Sequence, residues 1–178
     1  VVALVVSLFI KTFLVQFFYI PSGSMENTLQ IKDRVAVNKV PFISNTIKRG
    51  DVVVFRDPNN WLPEIIDYST NKYVAKAKSA LVTVGVLPNP AKQYLVKRVI
   101  GVGGDRVVCC TKDGKLTING VEVTEPYIFA GNKPSEMNFD VTVPKGKLWV
   151  MGDHRGASAD SRYHQEDINK GFVPKTKV

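Results

Sequence analysis

The first twenty residues, Val1 to Ile20, are apolar almost throughout and end against Pro21. Fourteen of them are Val, Leu, Ile or Phe, and the run is broken mainly by Ser7, Lys11, Thr12 and Gln16. At about 1.5 Å per residue, a helix of this length spans a bilayer core of about 30 Å. Lys11 opposes insertion by about 2.5 to 3.5 kcal/mol, whereas each of the fourteen contributes roughly 0.3 to 0.6 kcal/mol in its favour. The sum predicts a membrane helix over residues 1–20, with Lys11 snorkelling to the interface. A cleaved signal peptide is the first alternative, but it requires small residues at its end, and this run closes Phe17-Phe18-Tyr19-Ile20-Pro21. A buried core helix is the second. No charged flank precedes Val1, so the positive-inside rule gives no orientation. The chain opens without Met and reads as a piece of a longer protein.

After Pro21 the pattern changes to short Val- and Ile-rich runs bounded by Gly, Pro, Asn or Asp. These predict strands at Arg34–Val40, Asp51–Arg56, Tyr94–Ile100, Asp105–Cys109 and Lys147–Met151. Leu116-Thr117-Ile118, Asn119-Gly120 and Val121-Glu122-Val123 spell a hairpin, because Asn-Gly supplies the two positive-φ positions of a type I′ turn. Residues 57–92 read as an insertion, with a helix expected over Tyr73 to Val86 on the surface or against a membrane. The expected architecture is therefore mainly β: antiparallel sheets in a sandwich or partly open barrel behind one N-terminal membrane helix. Cys109 and Cys110 are neighbours, and adjacent strand residues point to opposite faces, so two free thiols are expected.

The formal charge is +8, from 24 Lys and Arg against 16 Asp and Glu. The basic residues are scattered, apart from Lys97-Arg98 and the stretch from Lys175 to Lys177, and no nucleic-acid-binding motif accompanies them. The charge suits membrane lipid as a partner and gives no support to nucleic acid.

Three segments carry potential chemistry. Pro21-Ser22-Gly23-Ser24-Met25 follows the apolar run directly, and on an extended chain Ser22 and Ser24 project to one side. A serine hydroxyl needs a base. Tyr94-Leu95-Val96-Lys97-Arg98-Val99-Ile100 places Lys97 on the same strand face as Leu95 and Val99, where burial lowers an amine's pKa from about 10.4. An edge lysine snorkelling to water is the bland reading of that strand. Gly152 to Arg162 is a small, polar, charged loop after Leu148-Trp149-Val150-Met151, suited to Asp/Arg pairs that stiffen a scaffold or to surface ion pairs worth under about 1 kcal/mol each.

These three boxes, in this order behind an apolar anchor, resemble the bacterial type I signal peptidase family over nearly the whole chain. The resemblance implies a β-rich catalytic domain over 21–178 with a smaller β cap at 106–146. It makes Ser24 the nucleophile and Lys97 the general base of a Ser/Lys dyad. Ser22 would join the Ser24 N–H in the oxyanion hole, and Ser158 would orient the Lys97 amine. Ile20, Met25, Leu29 and Val96 would line shallow pockets; Asp153, Arg155, Asp160 and Arg162 would brace the site. The implied substrates are preproteins with small residues at the −1 and −3 positions of their signal peptides. The implied location is the bacterial cell membrane, single-pass, with the catalytic domain on the extracytoplasmic side. No cofactor or metal is implied, and no H-E-x-x-H run is present.

Departures from the family pattern are Asn27 where many members have Pro, His154 for a common Asn, and Gly156 for a common Asp. His154 raises a Ser-His mechanism, which Lys97 in the strand motif argues against. A self-cleaving repressor-type Ser/Lys protease lacks the apolar anchor. Ser69-Thr70-Asn71-Lys72 suggests a penicillin-interacting enzyme, but its companion motifs are missing. From another class, a non-catalytic membrane-anchored β module remains as the alternative.

Overall fold

The computed structural model describes residues 15–38, 46–63 and 93–178. In chain order the strands are β1 (Val15–Tyr19), β2 (Arg34–Asn38), β3 (Val52–Arg56), β4 (Tyr94–Val102) and β5 (Arg106–Cys109). Then come β6 (Leu116–Ile118), β7 (Val121–Glu122), β8 (Phe139–Thr142), β9 (Lys147–Met151) and β10 (Val173–Pro174). They form a β1-β2 ribbon and two four-stranded sheets, β10-β9-β4-β3 and β7-β6-β5-β8. Every pairing is antiparallel. The mainly β, antiparallel expectation holds.

Strand alternation explains where the cores lie. On β3, Val53 and Phe55 are buried while their neighbours are not; on β4, Leu95, Lys97 and Val99 share the buried phase. That alternation stops at a bulge: Val99 pairs with Val150 and Gly101 with Trp149, leaving Ile100 as the extra residue. The bulge turns Val99 into a core with Phe55, Leu95, Leu148, Val150 and Val173, and Ile100 into a second with Val107, Leu116, Phe139, Trp149 and Phe172. Each of Leu148, Trp149, Val150 and Met151 on β9 is buried, which is why that strand reads as an unbroken apolar run. The hairpin turn has φ of 54° at Asn119 and 81° at Gly120, as its sequence predicts.

Two expectations are corrected. Val15 to Tyr19 are not the end of a helix over residues 1–20; they pair with β2 in register from Val15↔Asn38 to Tyr19↔Arg34. Valine and aromatic residues suit a strand as well as an apolar helix, and hydropathy alone does not separate the two. Residues 1–14 and the helix expected over 73–86 lie outside the described residues. Among the described residues no helix is long and apolar enough to cross a membrane. Cys109 and Cys110 are not free thiols but are joined as a neighbouring-residue disulfide. The expectation placed the two side chains on opposite faces of a strand, but β5 ends at Cys109 and Cys110 lies beyond it.

Gly101 sits where the two sheets meet: a Cβ there would come within 2.7 Å of Val107 Cγ2 and 3.0 Å of Val143 Cγ2. We expect Gly101→Ala to destabilise the protein by about 1–3 kcal/mol through overpacking. The midpoint of urea denaturation measures this; an unchanged midpoint would refute it.

Candidate active site

Ser24 is presented by a tight turn, not an extended segment. Glu26 N–H donates to the Gly23 carbonyl at 3.0 Å, and Thr28 and Leu29 N–H both donate to the Met25 carbonyl, at 3.0 and 2.8 Å. The loop is closed at its base by Ile20 N–H to Asp33 O and Lys32 N–H to Ile20 O, each 2.9 Å. Ser22 is exposed and Ser24 is 9% exposed. Asn27 has φ of 86°, which proline's ring, fixed near −65°, forbids. Its side-chain amide donates to the Tyr127 carbonyl at 3.1 Å.

Lys97 reaches the same point from β4. It is 4% exposed, and its Nζ lies 2.6 Å from Ser24 Oγ, donating to it. Burial pushes the Lys97 amine down to about 8. The carboxylates of Asp160 and Asp153 pull it back up, and the Arg162 guanidinium pushes it further down. Relative to an ordinary lysine, the charged form is disfavoured by about 3 kcal/mol. Roughly one Lys97 in ten is then neutral at pH 7 and half at pH 8, which makes the amine a usable proton acceptor for the adjacent hydroxyl.

The 152–162 loop holds the two together. His154 N–H donates to the Ser24 carbonyl at 3.2 Å. A methyl at Gly152 would overlap the Ser158 hydroxyl and the Ser24 carbonyl, so only glycine lets these segments touch. Asp160 is fully buried and accepts from Gly152 N–H at 2.9 Å, Ser158 Oγ at 2.8 Å, and Arg162 Nε and Nη2 at 2.8 and 2.9 Å. Arg155 donates to Glu125 and to the carbonyls of Gly152 and Pro134. Asp153 accepts from Arg98 Nε and Nη2 at 2.8 and 2.6 Å and from the Thr28 hydroxyl. The Arg98 guanidinium also lies 4.1 Å above the Tyr127 ring. Among the described residues no group of three or more His, Cys, Asp or Glu side chains is placed to hold a metal.

Comparison with known proteins decides the family. The chain matches the family model for signal peptidase, peptidase S26, over residues 1–178. It belongs to that family. It is 38% identical to "Probable signal peptidase I" of Mycobacterium leprae, covering 94% of this chain and 66% of that protein. It is 38% identical to "Signal peptidase I" of Mycobacterium tuberculosis, with 100% and 67% covered. Identity to "Signal peptidase I T" of Bacillus subtilis is 34%, over 91% and 71%. The chain thus spans about two thirds of the length of these relatives. A solved signal peptidase I of Enterococcus faecalis aligns at a TM-score of 0.44 and 25% identity, over 74% of this chain and 92% of that one.

Of the residues singled out from sequence in this peptidase S26 chain, Ser24, Lys97 and Ser158 converge. The Ser158 hydroxyl, however, donates to Asp160 and not to Lys97, so it bears on the amine through that carboxylate. Ile20 and Met25 are buried beside the serine turn, while Leu29 and Val96 are half-buried. The brace is real but its pairing differs: only Asp160–Arg162 lies within the loop, whereas Asp153 takes Arg98 and Arg155 takes Glu125. Sequence reading missed Thr28, Arg98, Glu125 and Tyr127 as partners. Arg98 carried a hint, being the charged neighbour of Lys97 on the opposite strand phase.

The Arg162 guanidinium is 1% exposed, so removing its carboxylate leaves a buried charge uncompensated. We expect Asp160→Ala to cost about 3–5 kcal/mol. Loss of the exposed Arg106–Asp140 pair should leave the melting temperature unchanged. Equal shifts for the two variants in a thermal melt would contradict this.

Proposed function

We propose that this chain is the catalytic part of a membrane-bound serine endopeptidase that removes signal peptides from secreted preproteins. The observation that carries the reading is the buried 2.6 Å contact between Lys97 Nζ and Ser24 Oγ, beneath an amine held near 8. Membership of the peptidase S26 family supports it.

In the proposed reaction, neutral Lys97 takes the Ser24 proton as Oγ attacks the scissile carbonyl. The resulting ammonium returns the proton to the leaving amine, and an acyl-enzyme ester remains. Lys97 then takes a proton from water as the water oxygen attacks the ester, the acyl–Oγ bond breaks, and the ammonium returns that proton to Ser24 Oγ. Ser22 and the Ser24 N–H are assigned to the developing oxyanion. Ser158, through Asp160, tunes and orients the amine. Ile20, Met25, Leu29 and Val96 are assigned to pockets whose modest size selects small residues at −1 and −3. We place the β5–β8 sheet, within 106–146, as the cap and the unassigned stretch 57–92 as a variable insertion. The apolar residues ahead of β1 are assigned to attachment at the bacterial cell membrane, with the domain on the extracytoplasmic face. That arrangement puts Ser24 near the lipid from which a preprotein's cleavage site emerges, raising their effective concentration.

Cleavage of a signal-peptide substrate in detergent tests the reading. Ser24→Ala and Lys97→Met should each lower kcat on the order of a thousandfold or more, whereas a non-catalytic β module would lose nothing. The sign of the pH dependence follows from a depressed amine. Below pH 8 the protonated form dominates, so kcat/KM should rise about tenfold per pH unit and level off above 8. A rise centred near 10 would show an ordinary lysine. Ser22→Ala should lower kcat by about 10²–10³ while leaving KM close to wild type; a change confined to KM would remove Ser22 from the oxyanion hole.

A further inference from the structure

The turn that presents Ser24 is gripped from a second side by contacts that no step above uses. Glu26 folds its carboxylate back over Gly23, so closely that a Cβ on Gly23 would meet the Glu26 carboxyl carbon at 2.9 Å. The Oε2 atom of that carboxylate lies 2.9 Å from His154 Nδ1. An ionised carboxylate only accepts, so Nδ1 carries the proton. The main chain of the same histidine donates to the Ser24 carbonyl at 3.2 Å. One residue therefore holds the turn both at the Ser24 main chain and at the Glu26 side chain.

His154 is itself seated. Its ring stacks on Phe129 with centroids 4.1 Å apart and planes within 15°. Phe129 N–H donates to the Asp153 carbonyl at 3.0 Å, and Asn27 ties the turn to the same segment through the Tyr127 carbonyl. Glu26 and His154 are both partly buried, at 26% and 20% side-chain exposure, so their contact is shielded from water on much of its surface. Asn27 and His154 thus meet at one junction beside the serine.

We propose that Glu26 and His154, seated on Phe129, form a clasp that positions Ser24 for attack. They are positioning residues, acting through the Ser24 main chain and not on Lys97 Nζ. A serine displaced by about 1 Å from its line of attack can lose about a hundredfold in rate, and beside its short main-chain bonds the Ser24 turn is anchored by the side chains of this pair, Asn27 and Thr28. The inference rests on the reading of Ser24 as nucleophile.

The experiment uses the full chain in detergent with His154→Ala, Glu26→Ala, the double variant and His154→Asn. It reads kcat and KM on a signal-peptide substrate and hydrogen exchange at the Glu26, Thr28 and Leu29 amides. We expect each alanine variant to lower kcat about tenfold or more, to keep KM within about twofold, and to speed exchange at those amides. The double variant should be no worse than the worse single one, since both break one interaction. His154→Asn places an amide N–H where Nδ1–H stood and should recover most of both readouts. Unchanged exchange, an unchanged kcat, a loss carried by KM, or effects that multiply in the double variant would each overturn the clasp. Ser24→Ala runs alongside: continued cleavage there would sink the protease reading by itself, while the exchange rates would still decide whether the clasp holds the turn.

Discussion

An amine can serve as a base near neutral pH only if water and negative charge are both kept from it. Lys97 meets the first condition through burial on β4. The second is harder, because Asp160 and Asp153 lie within electrostatic reach and both favour its protonated form. The structure answers with arginines. Arg162 grips Asp160 through two nitrogens, and Arg98 does the same to Asp153. Arg162 offsets part of the upward pull on Lys97, and both pairs leave carboxylate oxygens to hold Gly152, Ser158 and Thr28. Through Arg162 the brace is electrostatic as well as mechanical.

Position follows from the same parts. β4 and β9 run side by side through the middle of the molecule, so Lys97 and the start of the 152–162 loop are set by one ladder. The serine turn, coming from β1, is the separate piece that has to be docked. It is docked by bonds to residues far along the chain: Thr28 to Asp153, His154 to Ser24 and Asn27 to Tyr127. Such contacts close loops of about a hundred residues, and the chain-entropy penalty for that grows only slowly with length.

Period-2 alternation made the inward face of Lys97 legible, and Asn119-Gly120 announced its hairpin by the φ values that only such residues take readily. The apolar run of β9 made a strand legible, and its burial on both faces emerged with the structure. Ion-pair partners were not legible, because nothing local in Asp153 names Arg98, 55 residues away, or in Arg155 names Glu125. Hydropathy misjudged Val15–Tyr19, since an apolar run of Val and Phe satisfies lipid and sheet alike. Ser-Gly-Ser fits a strand end or a turn equally, and only the bonds to the Gly23 and Met25 carbonyls choose the turn.

The bulge at Ile100 has one more consequence. Because β4 and β9 each send side chains into both apolar clusters, neither cluster has a wall of its own on that side. Stripping away the β5–β8 sheet would leave Ile100, Trp149 and Met151 facing water, and the remaining sheet would be sticky and ill-packed. The smaller sheet is therefore no detachable ornament. It shares its apolar packing with the strand that bears Lys97.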